Sequence, residues 1–180
     1  MRRVLATAAI VAGGILAVSA AQKTTQVHPG KGGSPHVKSQ WTIDGANIAI
    51  EYGRPSLKDR PESKVMPAGK PWRTGADEAT TITTDKALKF GTISLEPGIY
   101  TINTQPGEGG WQLILGKLGK PGQWGIPYNA SLEIGRTPMT VAKEKAPVEQ
   151  LTISVDDTPA GGTLRIEWGG VSASANFTVG

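Results

Sequence analysis

The stretch "WTIDGANIAIEY", residues 41–52, indicates the fold class most directly. Apolar side chains alternate with other residues on both sides of the dipeptide Asp44-Gly45. Asn-Gly and Asp-Gly pairs between alternating segments favour a two-residue type I′ turn. Because side chains in a strand point alternately to the two faces of a sheet, the stretch predicts a β-hairpin with one buried face.

The same alternation recurs along the rest of the chain, at intervals of about ten residues and bounded by Gly, Pro and Asp. The segments are "EATTITT" (78–84), "ALKFGTISL" (87–95), "IYTINT" (99–104), "WQLIL" (111–115), "LTISVDD" (151–157), "TLRIEW" (163–168) and "ASANFTV" (173–179). No window shows a helical period. The sequence therefore predicts an all-β fold: an antiparallel β-sandwich, jelly-roll-like, in a single domain over residues 40–180.

The first residues have the pattern of an export signal. Arg2 and Arg3 precede an apolar run over residues 4–18, and small residues follow up to Ala20. This pattern predicts a signal peptide over residues 1–20, cleaved after Ala20 or Ala21, and export to the periplasm or the extracellular space. Residues 21–39 are polar and rich in Gly and Pro, which predicts a flexible leader.

Composition excludes several classes of function. The chain has no cysteine, so disulfides and thiolate metal sites are impossible. Cleavage of the signal would lower the net charge from +4 to +2, and the basic residues form no stripe, so no nucleic-acid partner is expected. No phosphate-binding loop or metalloprotease motif is present, so no cofactor and no metal are expected. After cleavage of the signal, no stable membrane span is expected either.

Two long segments rich in Pro and Gly, residues 53–77 and 116–138, interrupt the strands. Long loops in a compact domain are usually functional or disordered. Trp72 lies in the first segment and Trp124 in the second, and such large apolar side chains must find a pocket. The two loops are therefore the candidate functional regions.

Charged residues beside these aromatic side chains are candidate ligand contacts. Arg54 and Arg73 can each present a guanidinium fork to a carboxylate or phosphate, and Glu78 can bond hydroxyl groups. The alternative is structural, with ion pairs Arg73–Glu78 or Arg54–Asp77 holding the first loop in place. Asp77 and Glu78 are neighbours, so their side chains should point to opposite faces of an extended segment rather than form an acid–base pair.

Histidine offers few candidates for acid–base chemistry, because the chain has only two. His28 falls in the predicted leader and is expected to be solvated. His36 precedes the first predicted strand, where it can act as a general base or metal ligand with partners from elsewhere in the fold, or pack against or hydrogen-bond a turn. A zinc site without cysteine would require both histidines and is not expected.

Several segments resemble the bacterial domain of unknown function 2911 family. They are "SPH" (34–36), "IDGANIAIEYGRPSLKDR" (43–60), "PAGKPWRTGADEATTITTD" (67–85), "LEPGIYTINTQPGEGGWQLIL" (95–115), "GQWG" (122–125) and "APVEQLTISV" (146–155). The resemblance covers nearly all of residues 34–180. It implies an exported, all-β, single-domain protein whose activity is not established.

The resemblance also implies which residues are motif positions. Those that match are His36, Arg54, Trp72, Arg73, Thr74, Gly75, Glu78, Trp124 and Gly125. The chain departs from the family pattern at Asp77, where Asn is usual, and in the longer connection over residues 116–125. The change to Asp77 adds a negative charge at that position.

These observations lead to a ligand-binding hypothesis. The expected ligand is a carbohydrate or another small molecule, including an anionic one, bound by aromatic faces and charged groups. The candidate site residues are His36, Arg54, Trp72, Arg73, Glu78 and Trp124. Two alternatives remain: an enzyme of unrecognised type that uses an Arg/Glu/His cluster, and a structural or partner-binding module. Convergence of His36, Arg73 and Glu78 on one pocket would favour the enzyme.

Overall fold

Alternation of apolar residues produces strands over most of the chain. The computed structural model describes residues 22–180, so the predicted signal peptide lies outside the described residues. The strands are β1 (Lys23–His28), β2 (His36–Ile43), β3 (Ala46–Gly53), β4 (Thr81–Thr84), β5 (Leu88–Phe90), β6 (Ile93–Leu95), β7 (Gly98–Gln105), β8 (Trp111–Lys117), β9 (Glu133–Thr158) and β10 (Gly161–Val179). A one-turn helix, α1 (Glu62–Val65), and a 3₁₀ turn (Ala130–Leu132) are the only helical elements among residues 22–180.

The hairpin predicted around Asp44-Gly45 is confirmed. Ile43 pairs with Ala46, and the two residues between them have positive φ angles of 47° and 74°, as a type I′ turn requires. On the inner side of this hairpin, Trp41, Ile43 and Ile48 are almost completely buried.

All strand pairs are antiparallel, in the order β1-β2-β3-β4-β7-β8-β9-β10-β5-β6. The prediction of an all-β antiparallel domain is confirmed. The long strand β9 joins two layers, because its residues up to Met139 pair with β8 and its residues from Thr140 pair with β10. Side chains from both layers form one core cluster, which includes Ile50, Ile102, Ile153 and Ile166.

The segment predicted as a leader, residues 21–39, contains strand at both ends in the part that the structure describes. β1 occupies Lys23–His28 and pairs with β2, which begins at His36. β1 forms the edge of the sheet, and five of its six residues are exposed. Hydropathy could not indicate this strand, because main-chain hydrogen bonds hold it and it buries no apolar face.

The two predicted loops exist with different limits. The first runs from Arg54 to Thr80 and contains α1, and the second ends where β9 begins at Glu133. The loops meet beside β4, where the main chain of Glu78 pairs with that of Trp124. No helix among residues 22–180 has the length and apolar character needed to cross a bilayer.

Candidate functional site

The six predicted site residues do not form one cleft. His36 and Glu78 come together, with Nδ1 and Oε2 3.5 Å apart, and Trp124 lies beside Glu78. Arg73 and Trp72 line a different cleft of about 560 Å³, together with the exposed residues Lys58, Arg60 and Lys64. His36, Arg73 and Glu78 therefore do not converge on one pocket.

Trp72 is a core residue rather than a platform for a ligand. Its indole is 9% exposed, stacks on Trp168 with ring centroids 5.6 Å apart, and meets Trp111 edge-on at 6.4 Å. The main chain of Trp72 exchanges two hydrogen bonds with Thr104 at the end of β7. The first loop is thus anchored to the sheet at this point.

Both arginines donate hydrogen bonds to main-chain carbonyls, and Arg54 also bonds a side chain. Arg54 donates from Nε to the carbonyl of Leu151 and from a terminal nitrogen to Thr152 Oγ1, both at 3.0 Å. Arg73 donates from Nε to the carbonyl of Gly75, also at 3.0 Å. The structural alternative, an Arg73–Glu78 or Arg54–Asp77 ion pair, is wrong for residues 22–180: Glu78 pairs with the two histidines, and neither arginine is in an ion pair. Both arginines nevertheless stabilise the first loop.

Glu78 is positioned by the main chain on both sides of it. The carbonyl of Asp77 accepts a hydrogen bond from the amide of Gly125 at 3.0 Å, and the amide of Ala79 donates to the carbonyl of Gln123 at 2.9 Å. Asp77 has a φ angle of 64°, a conformation that Asn and Asp adopt more readily than other side chains. Asp77 and Glu78 line different clefts, although Asp77 is not in the extended conformation on which that expectation was based.

Trp124 is the exposed aromatic residue next to this segment. Its side chain is 40% exposed, and the ammonium of Lys31 lies 5.0 Å from the ring centroid. The amide of Lys31 donates to the carboxylate of Asp77 at 2.9 Å. The segment between β1 and β2 therefore packs against both loops beside Glu78.

His28, which the sequence placed in a solvated leader, lies against His36. A register shift in the β1–β2 ladder between Gln26 and His28 places His28, not Val27, opposite His36. Such β-bulges change the direction of a side chain and occur often beside functional sites. The two imidazoles are stacked, with centroids 4.6 Å apart and planes inclined by 8°.

Three side chains form a cluster on the outer face of the sheet: His28, His36 and Glu78. Their nearest ligand atoms lie within 4.8 Å of one another. Glu78 Oε2 is 3.7 Å from His28 Nε2 and 3.5 Å from His36 Nδ1. His36 is 2% exposed, and its other nitrogen, Nε2, lies 3.3 Å from a carboxylate oxygen of Glu51. Two nitrogens and one carboxylate oxygen are a common donor set for Zn²⁺ and for non-haem Fe²⁺.

Two atoms of this cluster are buried without a hydrogen bond. His36 Nδ1 and Glu78 Oε2 have no hydrogen-bond partner within residues 22–180. A buried polar atom without a partner costs about 1–3 kcal/mol, so such atoms usually indicate an occupant such as water, a proton or an ion. These two atoms face each other, so one occupant can satisfy both.

The sequence could identify only part of this cluster. His36 and Glu78 lie in motifs, but His28 lies in a polar segment whose pairing depends on a bulge. The spacing of His28 and His36 by eight residues has no fixed geometric meaning until the intervening turn is known. The signal available in the sequence was that both histidines of the chain occur close together.

The family relationship is settled by a profile match over residues 34–177, which is most of the chain. The chain belongs to the DUF2911 family. This family is described as proteins of unknown function, so the resemblance inferred from the motifs is confirmed and carries no activity with it. No curated protein and no solved structure matches the chain. In this DUF2911 protein, His36 and Glu78 lie inside the matched range, and His28 precedes it.

Proposed function

We propose that this DUF2911 protein is an exported binding protein whose ligand is a divalent transition-metal ion. The ligand atoms are His36 Nδ1, Glu78 Oε2 and His28 Nε2. The observation that carries the proposal is the pair of buried atoms without partners, His36 Nδ1 and Glu78 Oε2, 3.5 Å apart. An ion between them would satisfy both and would compensate the cost of burying them.

Glu51 has a positioning role in this proposal. Histidine ligands usually donate the proton of their second nitrogen to a carboxylate, which fixes the tautomer and directs the free lone pair at the metal. Glu51 lies 3.3 Å from His36 Nε2, on the side of the ring away from Glu78. With its proton held at Nε2, His36 presents the lone pair of Nδ1 toward Glu78.

The ion would require His28 to turn. The imidazole planes of His28 and His36 are nearly parallel, and an ion bound to a ring nitrogen lies close to the plane of that ring. One ion therefore cannot lie in both planes as they stand. In addition, the amide of Gly30 donates to His28 Nδ1 at 3.1 Å, which leaves the proton of the neutral ring on Nε2. Metal binding through Nε2 must therefore rotate the ring and release the Gly30 amide.

The test is titration of chelator-treated mature protein with Zn²⁺ by calorimetry, and with Co²⁺ by visible absorption. We expect stoichiometric binding in the wild type. Glu78→Gln keeps the shape of the side chain and should weaken binding by more than tenfold, whereas Glu108→Gln in an exposed turn should bind as the wild type does. Folded wild-type protein that binds neither ion would overturn the proposal.

Two further measurements separate a ligand role from a structural one. Glu51→Gln should weaken Zn²⁺ binding about 10–100-fold with an unchanged melting temperature, as loss of a hydrogen-bonding partner to a ligand does. In NMR spectra, Zn²⁺ should shift the amide resonance of Gly30 while that of Gly109, in a distant turn, stays in place. A Gly30 resonance that does not move on Zn²⁺ binding would exclude His28 as a ligand.

Export is supported by the order of residues at the start of the chain. Arg2-Arg3, the apolar run and the small residues up to Ala20 match the three regions of a signal peptide. Expression of the full chain in a bacterial host should give periplasmic or secreted protein whose intact mass begins at Ala21 or Gln22. Full-length protein in the cytoplasm would overturn this part of the proposal.

A carbohydrate is the second candidate ligand, favoured by the exposure of Trp124. Indole faces pack on sugar rings, and this ring is 40% exposed at the junction of the two loops. Lys31 covers one face of the ring, so a sugar must use the other face or displace the lysine. Thermal-shift measurements with a sugar panel on wild type and Trp124→Ala test this candidate. A panel without any shift would remove it.

A further inference from the structure

The cluster of His28, His36 and Glu78 faces an open cleft. This cleft has a volume of about 320 Å³, which suits a small molecule. Its walls come from the outer face of β2, β3 and β4 and from the second loop. The residues that line it beyond the cluster include Lys38, Thr81, Thr83, Ile99 and Gln123.

We propose that the bound ion keeps an open coordination position toward this cleft, and that a small oxyanion, a carboxylate or a phosphate, binds there between the ion and Lys38. The inference rests on the metal-binding function proposed above. Three protein ligands leave at least one position of a tetrahedral ion free, which is the usual arrangement where an ion meets an exchangeable ligand.

Lys38 supplies the second contact. It lies two residues after His36 on β2, so both side chains point to the same face of the sheet. Its cross-strand partner is Glu51, whose carboxylate approaches His36 rather than the lysine. Lys38 forms no ion pair with any carboxylate within residues 22–180. Its ammonium is therefore available to a ligand in the cleft.

The charges of the cleft make oxyanion binding depend on the ion. The carboxylates of Glu51 and Glu78 outnumber the single ammonium of Lys38 in this cleft, so the metal-free cleft disfavours an anion. A divalent ion reverses the sign of the local charge, as bound cations generally do. The oxyanion should therefore bind after the metal and only to the loaded protein.

The hydroxyl groups of Thr81 and Thr83 complete the recognition of an anion. Both threonines lie on the outer face of β4, and both line the cleft. Hydroxyl donors and an ammonium together bind oxyanions, whereas a neutral polyol would lose the attraction of the ion and of Lys38. The exposed side chain of Ile99 at the rim favours an organic carboxylate over inorganic phosphate.

The experiment uses Co²⁺-loaded mature protein, because its visible spectrum reports on ligands at the open position. Phosphate and acetate are titrated separately, with glycerol as the neutral control. We expect both anions to change the spectrum, with acetate or a longer monocarboxylate binding more tightly, and glycerol to leave it unchanged. Lys38→Gln should weaken anion binding about tenfold with the same Co²⁺ affinity, whereas Lys89→Gln on the distant strand β5 should change neither.

The outcomes are distinguishable. If the protein binds Co²⁺ but neither anion changes the visible spectrum, this inference is overturned while the proposed metal binding is supported. Absence of Co²⁺ binding would overturn both. A Lys38→Gln protein that binds the anions as the wild type does would exclude the lysine as a contact. It would overturn the proposal that the oxyanion binds between the ion and Lys38.

Discussion

The amide of Ile153 in β9 donates a hydrogen bond of 2.9 Å to the hydroxyl oxygen of Tyr52 in β3. This bond joins the two layers through the core, since Tyr52 is 1% exposed and Ile153 is fully buried. Burial raises the pKa of the Tyr52 hydroxyl, so the phenol stays neutral in the physiological range. Arg54, two residues after Tyr52, donates a hydrogen bond to the carbonyl of Leu151. Two hydrogen bonds therefore hold the end of β3 against β9.

We therefore predict that Tyr52→Phe destabilises the protein. The substitution removes the acceptor and leaves the buried Ile153 amide without a partner, which costs about 1–3 kcal/mol. Urea denaturation should show a lower midpoint with an unchanged slope. Tyr100→Phe is the matched control, because the Tyr100 hydroxyl donates to the carbonyl of Glu96 in an exposed contact. If both substitutions lowered the midpoint equally, the buried Tyr52–Ile153 hydrogen bond would not be the cause of the destabilisation.

Trp72 and Trp124 should respond differently to truncation. Trp72→Ala opens a cavity beside Trp168 and Trp111 and should cost about 3–5 kcal/mol in the free energy of unfolding. Trp124→Ala removes a partly exposed ring and should cost much less. Chemical denaturation of both variants checks this difference. A mild effect of Trp72→Ala would mean that the loop carrying it is not anchored in the core.

The pKa of Glu167 is raised by burial and, to a lesser extent, by the nearby carboxylate of Glu144. A raised pKa in the folded state means that folding favours the protonated form, so stability falls as the pH rises through the interval between the unfolded and folded pKa values. Glu167→Gln should therefore raise the melting temperature at neutral pH. Well below the ordinary glutamate pKa of about 4.3, this advantage should disappear.

Thermal unfolding of Glu167→Gln and of the wild type, at neutral pH and at a pH well below the ordinary glutamate pKa, measures the effect. Glu144→Gln should act in the same direction with a smaller shift, because its carboxylate is the secondary cause. An advantage of Glu167→Gln that persists unchanged in acid would show that burial of the charge is not its origin.

Deletion of Val27 tests the origin of the histidine pair. Gln26 pairs with Val37 and His28 pairs with His36, so Val27 is the extra residue of the bulge. Its removal should give a regular ladder with His28 still opposite His36. We expect the deletion variant to keep Zn²⁺ affinity within a few-fold of the wild type, whereas His28→Ala loses it. Loss of binding in both, with folding intact, would show that the bulge itself directs the imidazole.

Prediction from sequence succeeded where the pattern is local. Period-two alternation predicts which residues of β9 and β10 face the core. The residues it selects are all buried: Leu151, Ile153, Val155, Leu164 and Ile166. The turn at Asp44-Gly45 depends on two residues alone. In such segments the sequence contains the whole physical cause of the structure.

The remaining features depend on contacts between distant parts of the chain. Trp72 and Arg73 are neighbours in sequence, yet one enters the core and the other bonds the main chain, which no local pattern distinguishes. β1 is polar and exposed, and its strand conformation comes from pairing with β2. In this sequence the His28–His36 contact also depends on the bulge that removes Val27 from the ladder. Of the three residues of the cluster, the sequence indicated His36 and Glu78 as site candidates but not His28, and their role as a binding site stays a prediction.

The position of His28 on β1 gives a metal ion a mechanical consequence. β1 is the outermost of the strands described in residues 22–180 and buries almost no apolar surface, so it is held on β2 by main-chain hydrogen bonds, the Thr24–Ser39 hydrogen bond and the stacked imidazoles. The proposed ion, shared by His28 on β1 and Glu78 beside β4, would link the two sides of a four-strand segment of the sheet. If the proposed ion were absent, β1 would be held less firmly, and its separation would expose the backbone edge of β2, the kind of edge that can pair with strands from other chains. The concentration of the metal would then determine whether β1 covers the edge of β2 or leaves that edge free to pair with another chain.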